Sequence, residues 1–399
     1  MTSIRSGLQL NLAELDDQTW DIVVIGAGPA GGMAACLAAK SGLRTLLVER
    51  MSFPRSKVCG SCLNAAGVDL LNRVGLGEIP RRFGLPINQF CVGLNHRKLQ
   101  IPVPAGVAIA RTDLDMALVQ AGIAAGVSFL PETTASPDSL HPDHRQVRLA
   151  GHGITRNIMA RSVVVATGLK GLSGAEGDSA SVFKAQVARG SRIGTGCLLP
   201  GEFSDYPAGS IFMAIGRRGY VGLTATRSGL DIATACDAQL LRDADGPAAA
   251  AVEILNEAGF TMPDGLKEAQ WAGTLPLTRK TRPVAANRLF LAGDAAGYVE
   301  PFTGQGMAIA LQSAAELVPI LKNAMNQRAG KPELDWSKFY QKNVANRHWP
   351  AAFLARLLRR PTIASMAFGL ASRIPSSSRC LISAINRTIE IPSATEWRA

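Results

Sequence analysis

Asp21-Ile22-Val23-Val24-Ile25-Gly26-Ala27-Gly28-Pro29-Ala30-Gly31 is the stretch that decides the fold. A β-branched apolar run breaks into a glycine turn. An Ala-rich helical stretch follows and leads to Leu46-Leu47-Val48-Glu49-Arg50. That order is a βαβ unit of the kind that binds a dinucleotide. Gly26 permits the tight turn, Gly28 lets the backbone approach a pyrophosphate, and Gly31 lets the helix pack close to the strand. The helix N-terminus at Pro29 and Ala30 presents N–H groups and a positive dipole to the phosphates. Glu49 closes the second strand, where a carboxylate can accept hydrogen bonds from an adenosine ribose, and Arg50 stands beside it. A glycine-rich turn in an ordinary βα unit does not explain the acid.

A second stretch says which dinucleotide. Arg288-Leu289-Phe290-Leu291-Ala292-Gly293-Asp294 reads as a short strand ending in an acid, and Pro301-Phe302-Thr303-Gly304-Gln305-Gly306-Met307 reads as a turn opening another helix. An Asp at a strand end can hold a ribityl hydroxyl. A helix N-terminus at Gly304 to Met307 can face the pyrimidine edge of an isoalloxazine, where reduction builds negative charge. NAD has no ribityl chain, so the pair of sites favours FAD.

With these motifs the chain resembles the FAD-dependent hydroxylase and geranylgeranyl reductase superfamily, which has a glutathione-reductase-type FAD fold. Further matching stretches are Pro54 to Gly60, Arg111 to Asp115, Val163 to Gly168 and Gly219 to Leu223. The resemblance implies that Lys57 and Cys59 line the flavin. It implies that Arg111 holds the ribityl or phosphate chain; a surface pairing of Arg111 with Asp115 is the alternative. Hydroxylases of this superfamily often carry an Asp-Gly pair after the third FAD strand, and this chain has Ala166-Thr167-Gly168 instead. The five Trp form no cluster of the kind seen in flavin-dependent halogenases.

The order of the pieces gives an α/β architecture: a Rossmann-like FAD-binding domain, an interleaved antiparallel-sheet substrate domain and a C-terminal helical cap. The expected division is an extension over 1–20, the FAD-binding domain over 21–84, 106–178 and 278–325, the substrate domain over 85–105 and 179–277, and a basic helical segment over 326–399. Strands are expected at Ser210 to Ile215 and Tyr220 to Thr226, and a helix around Ala233 to Leu241.

Composition fits a folded enzyme. The 399 residues are 47% hydrophobic and 18% charged, which argues against wholesale disorder. No apolar run has the length of a membrane span, and residues 1–20 do not read as a signal peptide. Seven irregularly spaced Cys suit a reducing cytoplasm. Cys59-Gly60-Ser61-Cys62 also permits a redox dithiol, but no second nucleotide fingerprint accompanies it, and a zinc site lacks two further ligands. No metal is expected.

The net charge of +11 is concentrated near the C-terminus. Ser337 to Ile389 holds no Asp or Glu, and bases such as Arg356, Arg359 and Arg360 alternate with Trp349, Phe353, Leu357 and Phe368. This pattern reads either as a cap with a solvated basic face or as a peripheral contact with the inner face of a membrane or with a lipid-like substrate. No nucleic-acid motif is present. The functional expectation is a cytoplasmic FAD oxidoreductase fed by NAD(P)H or another reductant. Hydroxylation of an apolar small molecule ranks first, reduction of isoprenoid double bonds second, and a non-catalytic flavin scaffold third. No motif anchors a general base among the five His, and the flavin carries most of the chemistry itself.

Overall fold

The computed structural model describes residues 12–16, 18–172, 182–300, 302, 304–326 and 330–345, and positions 359, 363, 365, 366, 368 and 369. The quoted opening stretch forms β1 (Trp20–Ile25), α1 (Pro29–Lys40) and β2 (Thr45–Val48). Val23 and Val24 have no exposed surface, as expected of a parallel strand covered on both faces. The chain then leaves this sheet. A short β3 (Cys62–Leu63), α2 (Ala65–Arg73) and α3 (Glu78–Phe83) lead to a long hairpin, β4 (Leu85–Leu94) and β5 (Arg97–Ala108).

It returns through α4 (Arg111–Ala124) to β6 (Ser128–Leu130), β7 (Thr134–Leu140), β8 (Arg145–Gly151) and β9 (Ile154–Val165). β9 carries the run expected to rejoin the FAD sheet, and its last half lies parallel to β1. A second excursion adds β10 (Lys184–Val187), β11 (Ile193–Leu199), β12 (Ser210–Ile215), β13 (Gly219–Thr226), β14 (Gly229–Cys236), α5 (Ala238–Asp243), α6 (Pro247–Ala258) and β15 (Ala272–Pro276). The last return makes β16 (Arg279–Arg282), β17 (Ala285–Ala286), β18 (Leu289–Leu291), β19 (Gly297–Tyr298), α7 (Gly306–Asn326) and α8 (Pro332–Phe339).

Three sheets result. The first orders its strands β17-β18-β9-β1-β2-β6, with β7 and β8 branching from β9, and its β18-β9-β1-β2-β6 core is parallel. The second runs β15-β11-β14-β13-β12-β4-β5-β3 and is antiparallel except where β12 meets β4. β10, β16 and β19 form the third. This is the expected α/β class. α8 begins the C-terminal cap: Trp336 is fully buried, and its indole N–H donates to the Leu291 carbonyl at 3.0 Å.

One expected element is different. Ala233 to Cys236 belongs to β14, and helix begins only at Ala238. The Ala content suggested helix, but this stretch pairs with β11 on one side and β13 on the other. Tertiary pairing overrides a weak local propensity. Among the described residues no helix is long and apolar enough to cross a membrane. Most of the basic segment beyond Ala345 lies outside the described residues. Arg359 is described, and it is engaged with protein: its guanidinium donates to the Gly190 carbonyl at 2.7 Å and to Glu300 at 3.1 Å.

Candidate flavin and substrate site

At the end of β1 the chain turns at Gly26, with φ +101°, where a Cβ would lie 2.6 Å from the Ala166 carbonyl oxygen. A Cβ on Gly31 would overlap the Gly26 carbonyl oxygen itself. α1 therefore rides directly on the turn. Gly28 is its N-cap, with no side chain capping it, and Pro29 has no N–H to offer. A Cβ on Gly28 would meet the Arg111 guanidinium at 3.4 Å and that of Arg55 at 3.7 Å. Two guanidinium groups and a helix N-terminus thus converge beside the one glycine that leaves space, which suits a pyrophosphate.

The acids around this point hold the arginines in place. Arg111, opening α4, makes a bidentate pair with Asp115 at 3.0 and 2.7 Å. Arg55 bonds Asp115 and Glu49, each at 3.1 Å. Burial alone would lower the Arg111 pKa, and Asp115 outweighs it, so the guanidinium stays charged. Pairing with Asp115 and facing the nucleotide site are therefore compatible roles of one side chain. Glu49 also accepts the Ala27 N–H at 3.0 Å and the Met51 N–H at 3.1 Å. Three protein donors leave about one of its four acceptor positions for a ribose hydroxyl. Arg50 is exposed; its charge, with burial and the larger effects of Arg55 and Arg111, pushes the Lys57 ammonium below its ordinary range.

The second stretch arrives at the same place. Gly293, at φ +59°, packs where a Cβ would sit 2.9 Å from Ala30. Its N–H donates to Ser313 at 2.9 Å. Asp294 follows in a single 3-10 turn, its carboxyl pushed up to about 6 by burial against the charges of Arg111, Lys57 and Arg279. Gly304, at φ +67°, lies where a Cβ would be 3.1 Å from that of Cys62. Gln305 accepts the Ile309 N–H at 3.0 Å, and Gly306 opens α7 under the Tyr298 ring. The Met307 side chain is buried in the core, so it is the backbone of this helix start that is available to a cofactor. Pro301 and Thr303 lie outside the described residues.

The segment between these ends bears on the dithiol alternative. Cys59 and Cys62 are free thiols. Burial raises both, Cys62 to about 12, although the Thr224 hydroxyl 3.6 Å from its sulfur opposes the rise. A reactive dithiol needs a depressed pKa, so this pair is poorly suited to carry electrons. Among the described residues no group of His, Cys, Asp or Glu is arranged for a metal.

Cys62 and its neighbours lie against one face of the second sheet. The strand registers fix that face. Phe90, Ile211, Thr224, Asp231 and Leu198 form one row across five strands, and Val92, Met213, Gly222, Ala233 and Gly196 form the next. Ile215, Tyr220 and Ala235 continue it. The opposite face, with Phe212, Leu223 and Ile232, packs into a separate apolar core with α6 residues such as Ile254 and Leu255. Phe302, from the stretch before α7, packs edge-on against Phe90 and Tyr220, with centroids 6.2 and 5.1 Å away. The face is thus apolar and aromatic at one end and small-sided at Gly196, Gly222 and Ala233. Asp231 is the single charge in these rows. Arg55, Ser61, Thr224 and Asp231 were not singled out from sequence. Only the alternation of β14 could have marked Asp231, and reading Ala233 onward as helix hid it.

The open cradle at Gly28, the paired arginines and the half-buried Asp294 between two helix N-termini fit FAD, and the arrangement is that of a flavoprotein oxidoreductase. The chain belongs to the FAD binding domain family, which matches residues 19–349. It is 29% identical to the menaquinone reductase of Mycobacterium tuberculosis strain H37Rv, over 76% of this chain and 77% of that protein. It is 25% identical to the digeranylgeranylglycerophospholipid reductase of Thermoplasma acidophilum, over 83% and 84% of the two chains. In structure it is similar to the flavin-dependent brominase Bmp2, with a TM-score of 0.72, 17% identity, and 96% and 98% of the chains covered. At that identity the likeness concerns the fold alone. These findings agree with the resemblance to the hydroxylase and geranylgeranyl reductase superfamily.

Proposed function

We propose that this FAD-dependent oxidoreductase saturates carbon–carbon double bonds in the polyprenyl chain of a lipid. The carrying observation is the two reductases that match over three quarters or more of the chain. Both are named for lipids with polyprenyl chains. The outer row of the sheet face supports the reading: Phe90 and Ile211 are half-buried and Leu198 is exposed, and a hydrocarbon chain laid there would be removed from water at roughly 25 cal/mol per Å². Ala166-Thr167-Gly168 in place of Asp-Gly supports it as well. Hydroxylation, first by sequence, becomes the second reading.

Bound and reduced, FAD would supply a hydride, which carries both electrons. Arg55, Arg111 and the α1 N-terminus would hold its pyrophosphate, and Asp294 its ribityl chain. Phe302 and the apolar face keep water from the reacting carbons. NAD(P)H or another two-electron donor restores the reduced cofactor. The test is mass spectrometry of products from holoprotein, reduced without air, with menaquinone or digeranylgeranylglycerophospholipid. A gain of two hydrogens per double bond is expected. Unchanged lipid, together with oxygen insertion in air with NADPH, would overturn the reading in favour of a monooxygenase.

A further inference from the structure

We propose that Asp231 is the proton donor of this site, with Ser61 positioning its carboxyl group. The proposal rests on the reductase reading above and assigns that reaction its acid. In the row Phe90, Ile211, Thr224, Asp231 and Leu198 and in the row beside it, Asp231 is the one charged residue. Ser61 donates its hydroxyl hydrogen bond to Oδ2, and no described residue bonds Oδ1. Oδ1 is therefore where a transferable proton can sit.

Ser61 itself is held at a cost. It is fully buried with φ +50°, a region a serine seldom occupies. Its carbonyl is fixed by the Ile109 N–H at 2.8 Å and its side chain by Asp231. Strain of this kind persists where surroundings over-determine it, and it concentrates at functional sites. Ser61 also lies between Cys59 and Cys62, and Cys62 abuts Gly304 at the start of the pyrimidine-facing turn. The acid and the cofactor turn thus flank one short segment. Burial pushes the Asp231 carboxyl up to about 6, against the opposing hydrogen bond from Ser61 and the charge of Arg111. It holds a proton well above the range of an ordinary aspartate.

The step balances. One alkene carbon receives the hydride with both electrons, which leaves FAD oxidised. The other carbon receives the proton from Oδ1, where the O–H bond breaks as the C–H bond forms. The carboxylate recovers a proton from water at the sheet edge, where its row neighbour Leu198 is exposed.

The test uses FAD-loaded wild type, Asp231→Asn and Asp231→Glu, reduced without air, with digeranylgeranylglycerophospholipid as the probe. Both variants are expected to retain stoichiometric FAD. In Asp231→Asn the single-turnover rate should fall about 10²–10⁴-fold, the usual contribution of a general acid, and Asp231→Glu should recover part of it. The wild-type rate should decline as pH rises through about 6, where the acid form is lost, and Asp231→Asn should lack that decline. A second readout needs no turnover: the wild-type minus Asp231→Asn infrared difference spectrum of oxidised holoprotein below pH 6 should show the carbonyl band of one protonated carboxyl group, the Asp294 contribution cancelling. An Asp231→Asn rate within about threefold of wild type, with the same pH limb, overturns the assignment, as does an unchanged infrared band. Hydrogenated product with an unaffected variant rejects Asp231 alone. Unchanged lipid from wild type without air, with oxygenated product once air and NADPH are added, rejects the reductase reading and the proposal with it.

Discussion

Gly28 and Asp294 show how much single residues decide here. A Cβ at Gly28 would stand between the α1 N-terminus and the guanidinium groups of Arg55 and Arg111. Gly28→Val should fold and weaken FAD binding at least tenfold, about 1.4 kcal/mol. Equilibrium dialysis checks it, and undiminished affinity would move the pyrophosphate elsewhere. For Asp294 the folded-state pKa of about 6 stands above the unfolded value near 3.9. The folded protein then binds more protons than the unfolded chain between these values. Its contribution to stability is fully present below the lower one and is lost as pH rises through the upper one. Cofactor-free Asp294→Asn should therefore gain melting temperature over wild type progressively from pH 4 to 7. A constant difference across that range would contradict the burial of this carboxyl. Both residues were legible in the sequence because their signals are local: a glycine at fixed spacing, an acid at a strand end. Arg55 and Asp231 were not, because their meaning comes from partners far along the chain.

Elements were legible to the same rule. β1, α1 and β2 follow from an apolar run, a glycine turn and an Ala-rich stretch, which together determine one another. β12 and β13 could be read from their β-rich composition. The end of β14 could not, since Ala233 and Ala235 acquire strand geometry from β11 and β13, which the chain itself does not announce. α1 gives the sharpest test of element packing. Its approach to β1 depends on Gly31, whose Cβ would occupy the position of a backbone oxygen that has no rotamer to escape into. Gly31→Ala should cost about 1–3 kcal/mol by overpacking. Urea unfolding of the cofactor-free protein measures it, and a midpoint equal to wild type would mean that the helix lifts off the turn freely.

At the scale of the molecule, Arg192 and Glu300 tie the sheets together. Arg192, just before β11, bonds Glu300 at 2.9 Å and Asp237 at 3.1 Å. Glu300, just after β19, is fully buried and also receives Arg359. Truncating one partner of such a pair leaves an uncompensated buried charge, at about 3–5 kcal/mol. Glu300→Ala should lose about that much in denaturant unfolding, and a loss below about 1 kcal/mol would mean that water reaches the arginines. The chain visits the FAD-binding sheet three times, and Gly28, Arg111, Lys57 and Asp294 meet only because it returns. A cofactor bound where these stretches, more than two hundred residues apart, come together would behave as a reversible cross-link on the whole polypeptide. Resistance to heat or protease then becomes a function of free FAD, rising by about 2.7 kcal/mol when the cofactor stands a hundredfold above its dissociation constant. A cell short of flavin would lose this protein to degradation before it lost the activity to competition.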